Sequence, residues 1–148
     1  MKLDESGYKL ITQFEGLSLK PYLDSIKVPT IGYGNTFYPD GRKVKLTDPK
    51  ITQPYAFEIF KVIADKFASQ VSNSVKSPVN QKQFNALVSF AYNVGMGNLN
   101  SSTLLKRVNA NPNDDDIRIQ FQKWNKAGGK VILGLTNRRA AEAKYYFS

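Results

Sequence analysis

Two carboxylic acids and one hydroxyl group lie close together in the stretch EGLSLKPYLDSIKVPTIGYGNT, which covers residues 15–36. They belong to Glu15, Asp24 and Thr30. Two carboxyl groups that face one another across a gap can cleave a glycosidic bond, one as the acid and one by handling a water. A lone Glu before a glycine, or a lone Asp in a turn, is more commonly a solvated surface residue. The surrounding pattern therefore has to support the catalytic hypothesis.

The element before this stretch is a predicted helix over about residues 4–15, capped by Asp4 or Ser6. Gly16 follows it and tolerates a left-handed C-terminal turn. Glu15 then lies in the last helical turn, where the helix dipole disfavours a carboxylate. We therefore expect Glu15 to be the general acid.

Asp24 and Thr30 are expected to lie around a turn that follows Tyr22. The carboxylate of Asp24 would orient or activate a water, or stabilise positive charge on a sugar ring. The hydroxyl of Thr30 would hold the same water from the other side.

One small antiparallel sheet is predicted from the alternation through Val28, Thr30 and Gly32, a turn at residues 39–41, and the stretch at residues 44–46. It is the only strand-like region that the sequence indicates. An amphipathic helix follows, from a cap at Thr52 to about Ser72, and its phenylalanines are predicted to be core residues: Phe57, Phe60 and Phe67.

The second half of the chain is predicted to be helical. A capping-box variant at Asn80 and Gln83 begins one helix, and Ser101 or Ser102 caps a short one. The acidic run at residues 114–116 fits the first turn of a helix that runs through Trp124, a core residue, to Gly128 and Gly129; it is a weaker candidate for a metal site. A last helix from about Thr136 carries Arg138, Arg139 and Glu142.

These elements predict a mainly helical α+β fold with two lobes and a small antiparallel sheet in the N-terminal lobe. We expect a single domain over residues 1–148, with a catalytic lobe at about 15–52, a bridging helix at about 53–72, and a helical lobe at about 77–148 plus the first helix. A sheet inserted in this way creates a cleft, and clefts between lobes bind extended ligands.

Composition excludes several classes of site. The chain has neither cysteine nor histidine, so a zinc site and a serine–histidine triad are both excluded, and we expect no metal and no cofactor. No apolar run is long enough to span a membrane, and the first residues lack the apolar core of a signal peptide. The net charge of +9 favours polyanionic partners: nucleic acid, anionic lipid or cell wall.

The motifs EGL, LKPYLD and TIGYGNT resemble those of the phage-type lysozymes, glycoside hydrolase family 24. Further signatures follow in the family's order: QFNALVSFAYNVG, SSTLLKRVN, FQKWNKAGG and GLTNRRAAE. The resemblance covers nearly the whole chain, and several motifs in one order are more specific than any single motif.

The resemblance implies an endolysin-type muramidase that hydrolyses the β-1,4 bond between N-acetylmuramic acid and N-acetylglucosamine in peptidoglycan. Its catalytic set would be Glu15, Asp24 and Thr30, with inversion in one step. Such a protein would wait in the host cytoplasm until it is released to the wall. We expect a monomer whose partners are glycan strands, without nucleic acid and without membrane insertion.

Three further residues are candidates for substrate contact or positioning. Arg138 aligns with the family's arginine that reaches the catalytic glutamate, although spacing alone fits a surface arginine equally well. Tyr33 and Asn93 are candidate sugar contacts, and Tyr33 also fits plain packing. Asn35 stands where the family commonly has histidine, so an ion pair at that position is not expected.

Two other functions remain open at this point. A non-catalytic module of the same fold could bind wall polymer or nucleic acid through its positive charge. A lytic transglycosylase would also use one glutamic acid but would form an anhydro sugar. The presence of Asp24 and Thr30 favours hydrolysis.

Overall fold

The computed structural model describes all 148 residues and contains seven helices and two small antiparallel sheets. The predicted mainly helical α+β class is confirmed. No helix combines the length and apolar character needed to cross a membrane. The elements in chain order are α1 (Glu5–Thr12), β1 (Ser18–Leu23), β2 (Pro29–Gly32), α2 (Gln53–Ser74), α3 (Gln81–Val94), α4 (Met96–Ser101), α5 (Thr103–Ala110), α6 (Asp116–Gln122), β3 (Lys126–Ala127), β4 (Lys130–Val131) and α7 (Leu133–Tyr146).

The chain divides into two compact units. The smaller unit is Ile11–Lys66, and the larger unit combines Met1–Leu10 with Phe67–Ser148. The divisions fall within α1 and within α2, so each of these helices contributes residues to both units.

The smaller unit holds the strand pair β1–β2. Tyr22 lies opposite Thr30, and Leu23 lies opposite Pro29. One apolar core cluster of this unit contains four buried side chains from the sheet, the following loop and α2: Ile31, Tyr38, Val44 and Ile59. The Tyr38 hydroxyl donates a hydrogen bond to Oδ2 of Asp48 at 2.7 Å, which satisfies its polar end at the edge of this core.

The sheet differs from its prediction in two respects. The predicted strand through Thr30 is observed as β2, but its partner is β1. The pattern of SLKPYL did not indicate a strand, because it contains a proline and its apolar–polar alternation does not continue beyond that proline. The stretch at residues 44–46 forms no strand. One isolated bridge, between Phe37 and Lys43, flanks the predicted turn at residues 39–41.

In the larger unit, α3 is buried along most of its length and packs against α7. The predicted capping box is confirmed, because the Gln83 N–H donates to Asn80 Oδ1 and the Asn80 N–H donates to Gln83 Oε1. The Phe90 ring meets Trp124 edge-on at 5.5 Å, so the half-buried Trp124 packs against the core as predicted.

The first helix is tied to α3 within the larger unit. Oδ1 of Asp4 accepts a hydrogen bond from the Gly7 N–H at 2.9 Å, which caps α1, and a second one from Asn85 Nδ2 at 2.8 Å. Gly7 permits this approach, because a Cβ at that position would lie 2.7 Å from the Asn85 side chain.

Two predictions around α6 and α7 are wrong. The helix that was predicted to run through Trp124 to Gly128 and Gly129 ends at Gln122, and the two glycines form the turn of the hairpin β3–β4. Their φ angles of 58° and 79° fit the two-residue turns that connect antiparallel strands. Helix α7 begins at Leu133, three residues before the predicted start at about Thr136. The Thr136 hydroxyl lies in its first turns and accepts a hydrogen bond from Asn125 Nδ2 at 3.2 Å.

Candidate active site

Glu15 lies just beyond the first helix. The prediction that it belongs to the last helical turn is wrong, because α1 ends at Thr12. The chain continues in a tighter turn, in which the Glu15 N–H donates to the Thr12 carbonyl at 3.3 Å, and Gly16 does not adopt the left-handed conformation. The helix dipole acts mainly within the last turn, so the acid role of Glu15 has to rest on its neighbours in the smaller unit.

One of these neighbours is Gly34. Its φ is +87°, and a Cβ at this position would lie 3.3 Å from Glu15 Oε2. The half-buried Glu15 carboxylate therefore lies against backbone that only glycine leaves open.

Asp24 forms the turn between β1 and β2. Its Oδ1 accepts hydrogen bonds from the N–H groups of Ile26 and Val28, both at 2.9 Å, and its own N–H donates to the Val28 carbonyl at 3.0 Å. Because both side-chain bonds end on Oδ1, Oδ2 remains available to a water. The turn thus fixes the carboxylate without using all of its acceptor capacity.

Thr30 is buried, and its hydroxyl is oriented by the same turn. Oγ1 donates its only proton to the Val28 carbonyl at 2.8 Å. A hydroxyl has one donor and two acceptor sites, so Thr30 can only accept a hydrogen bond from a water. Val28 therefore holds both side chains: its N–H binds Asp24 and its carbonyl binds Thr30.

Tyr22 is a member of this group that sequence reasoning missed. It lies directly across the strand pair from Thr30, and 38% of its surface is exposed. Burial raises the pKa of the Tyr22 phenol, and the charges of Glu15 and Asp24 raise it further, so both carboxylates act on the same hydroxyl. The two-residue spacing of Tyr22 and Asp24 at the end of a strand is the sequence signal that could have identified it.

Tyr33 and Asn35 complete the description of the smaller unit. Tyr33 is half-buried, and its ring meets Phe60 of α2 at 5.7 Å. Asn35 is buried and donates through Nδ2 to the Ile59 carbonyl at 3.2 Å. This amide fixes the loop after β2 to α2 by a neutral hydrogen bond.

Arg138 and Asn93 belong to the larger unit. Arg138 is buried, donates through Nε to Glu142 Oε2 at 3.2 Å, and donates through Nη2 to the Ser89 carbonyl at 3.1 Å. Asn93 is exposed near the end of α3, and its Oδ1 accepts a hydrogen bond from Arg139 Nη2 at 2.8 Å. The contact of Arg138 with Glu15 that the resemblance implies stays a prediction.

Residues 12–142 match the family model described as phage lysozyme. The endolysin of Bacillus phage B103 is 40% identical over 150 residues, which include 100% of this chain and 55% of that protein. This chain thus spans little more than half the length of that relative.

Two solved structures are similar over nearly the full chain. The endolysin from Escherichia coli O157:H7 phage FAHEc1 has a TM-score of 0.91 and 39% identity, with 100% of this chain and 94% of that chain covered. The muramidase domain of SpmX from Asticaccaulis excentricus has a TM-score of 0.85 and 29% identity, with 99% and 98% covered.

Proposed function

Since the chain belongs to the phage lysozyme family, as its motifs predicted, we propose that it is a muramidase that hydrolyses peptidoglycan. The bond cleaved would be the β-1,4 bond between N-acetylmuramic acid and N-acetylglucosamine. Glu15 would be the general acid, and Asp24 and Thr30 would handle the water. Similarity to a muramidase domain over 99% of the chain supports this bond.

The observation that carries the proposal is the arrangement around Val28. The backbone of this one residue leaves Asp24 with a free carboxylate oxygen and Thr30 with free lone pairs only. A water that donates one proton to each of them would turn its own lone pair toward an anomeric carbon. A protein that only binds glycan needs no such pair of acceptors.

The proposed reaction proceeds in one displacement. Glu15 transfers its proton to the glycosidic oxygen as the bond to the leaving sugar breaks. The water attacks the anomeric carbon from the opposite face and loses its proton to Asp24. This is the inverting scheme, in which the carboxyl groups stand roughly 6.5–9.5 Å apart to admit the water.

The remaining site residues have supporting roles in this proposal. Tyr22, whose hydroxyl is near enough to both carboxylates for their charges to raise its pKa, would line the site. Tyr33 and Asn93 would contact sugars, and Arg138 would position the acid as the family resemblance implies. The net charge of +9 would favour association with the anionic polymers of the wall.

The experiment that tests the proposal compares the wild type with Glu15→Gln on purified sacculi, at matched concentration and low salt. We expect new reducing ends from the wild type only, with the variant reduced by roughly 10² to 10⁴, the contribution of general acid catalysis. Glu58→Gln is the matched control, since that exposed glutamate of α2 pairs only with Lys61 at 3.1 Å. Near-normal activity of Glu15→Gln would exclude Glu15 as the acid.

The products distinguish hydrolysis from the two alternatives. Hydrolysis gives reducible sugar ends, whereas a transglycosylase gives an anhydro sugar that is lighter by one water and resists reduction. A non-catalytic binding module would bind sacculi and release nothing.

A further inference from the structure

A charged cluster is buried in the larger unit, between α3 and α7. It consists of Ser89, Arg138, Arg139 and Glu142, each of which is 4% exposed or less. Two guanidinium groups face a single carboxylate, so the cluster holds an excess positive charge. A buried charge is costly unless polar groups surround it. The stability of this cluster therefore depends on which groups, besides Glu142, bind the guanidinium of Arg139.

Arg139 is the arginine that links this cluster to the surface. Its Nε lies 2.8 Å from Glu142 Oε1, and its guanidinium lies over the Phe90 ring at 5.0 Å. Its Nη1 has no hydrogen-bond partner, while its Nη2 donates to Asn93 Oδ1 at 2.8 Å. Arg139 is fully buried and Asn93 is exposed, so this bond connects interior charge to an exposed amide.

The chemistry of the two groups fixes the orientation of that amide. A guanidinium has five N–H donors and no acceptor, so only the oxygen of Asn93 can face it. The amide is planar, and its Nδ2 group is directed away from Arg139 with two N–H donors. A reversed amide would place those donors against a buried cation. Arg139 therefore excludes the reversed orientation.

We infer that Arg139 is a positioning residue that holds Asn93 so that Nδ2 donates to the acetamido carbonyl oxygen of the glycan. The inference rests on the proposed function and names the group on the substrate that Asn93 recognises. A sugar hydroxyl can donate and accept, so it would bind either orientation of the amide. A carbonyl oxygen can only accept, so it requires the donor orientation that Arg139 enforces.

The decisive variant is Asn93→Asp, because it keeps an oxygen toward Arg139 and replaces the donor with an acceptor. Asn93→Ala removes both groups. We expect KM for soluble, uncross-linked glycan strands to rise about 10-fold in both variants, since one lost hydrogen bond is worth about 1 kcal/mol or somewhat more. We expect kcat to stay within about threefold of the wild type.

Thermal stability should follow a different order from substrate affinity. Asn93→Asp should melt at or above the wild-type temperature, since it pairs with Arg139, whereas Asn93→Ala should melt lower. If Asn93 served only to accept the Arg139 hydrogen bond, Asn93→Asp would keep the wild-type KM. That result would overturn the inference.

Arg139→Lys tests the positioning role from the other side. A lysine can reach Glu142 but has only one nitrogen, so it cannot also donate to Asn93. We therefore expect KM to rise as in Asn93→Ala, with no further rise when Arg139→Lys and Asn93→Ala are combined. Independent, multiplicative effects of the two changes on KM would contradict the inference. Arg107→Lys is the matched control, because Arg107 pairs with Asp116 at the surface. If Arg139→Lys fails to fold, Asn93→Asp decides the question alone.

The outcomes separate this inference from the proposed function. A wild type that releases no reducing ends would contradict the muramidase assignment itself. An active wild type with an unchanged KM in Asn93→Asp would contradict only the role of Arg139 and Asn93.

Discussion

Asp24 and Thr30 are both held by the backbone of Val28. The Val28 N–H donates to the Asp24 carboxylate, and the Val28 carbonyl accepts a hydrogen bond from the Thr30 hydroxyl. Any movement of this residue would displace both side chains together. The turn thus fixes their relative position without a direct contact between them.

Asp24→Asn should separate the structural role of Asp24 from its chemical role. The amide oxygen can still accept the two backbone hydrogen bonds of the turn, so the melting temperature should change little. The negative charge that would receive the water's proton in the proposed reaction is lost, and kcat should fall by roughly 10² to 10⁴. Asp24→Ala should lose stability as well. Equal melting temperatures for the Asn and Ala variants would contradict the structural part of this prediction.

Thr30→Val should lower both stability and turnover. Valine has nearly the same shape but removes the hydroxyl's hydrogen bond to the half-buried Val28 carbonyl, which keeps the Asp24 N–H as a donor, so the loss should be about 1 kcal/mol. It also removes the acceptor for the water, so kcat should fall by at least about tenfold. Thr30→Ser keeps the hydroxyl and should restore most of the turnover. Calorimetry and reducing-end assays measure the two effects, and an active Thr30→Val variant would exclude a role for the hydroxyl.

Gly34→Ala should impair catalysis more than its backbone strain explains. The new Cβ would lie 3.3 Å from Glu15 Oε2, so the carboxylate must shift. Gly41→Ala is the matched control, since Gly41 has a similar φ of +91° and no atom within 4 Å of a Cβ. Both variants should lose about 1 kcal/mol of unfolding free energy, and only Gly34→Ala should lose kcat. Similar kcat values would show that the contact with Glu15 is unimportant.

The stability of the smaller unit should fall at high pH because of Tyr38. Burial, together with the hydrogen bond to Asp48, raises the pKa of Tyr38 to about 12, against about 10 for a phenol in water. The folded state therefore keeps a proton that the unfolded state loses, and this stabilisation is complete below about pH 10 and is lost as the pH rises toward 12. The difference in melting temperature between the wild type and Tyr38→Phe should shrink over that range. A constant difference would contradict the assignment.

Local signals in the sequence predicted much of the helical structure. The Asn80–Gln83 capping box and the Ser102 cap each depend on residues three positions apart, and both are observed. The prediction that Gly16 ends α1 was wrong, because α1 ends at Thr12 and a tighter turn follows before the glycine. Strand β1 was missed because its pairing depends on β2 and not on its own pattern.

The site was predictable only in part, because some of its contacts join residues that are far apart in the sequence. The chain's own motif placed Asp24 and Thr30 around one turn, and the structure shows that turn in detail. The bond between Arg139 and Asn93 joins residues 46 positions apart, and no local rule connects them. Long-range polar contacts of this kind require the packing of α3 against α7 to be known.

The bond between Asp4 and Asn85 has a consequence for folding during synthesis. The first ten residues belong to the same unit as residues 67–148. Asp4 can form its hydrogen bond only after Asn85 has been synthesised, 81 positions later in the chain. A ribosome that adds roughly 5–20 residues per second takes on the order of ten seconds to supply it. During that interval the apolar side chains of Leu3 and Leu10, which are buried in the finished protein, remain available to chaperones. The nascent chain therefore cannot complete its larger unit from the N-terminus onward, and completion of that unit follows synthesis of α7, which packs against α3.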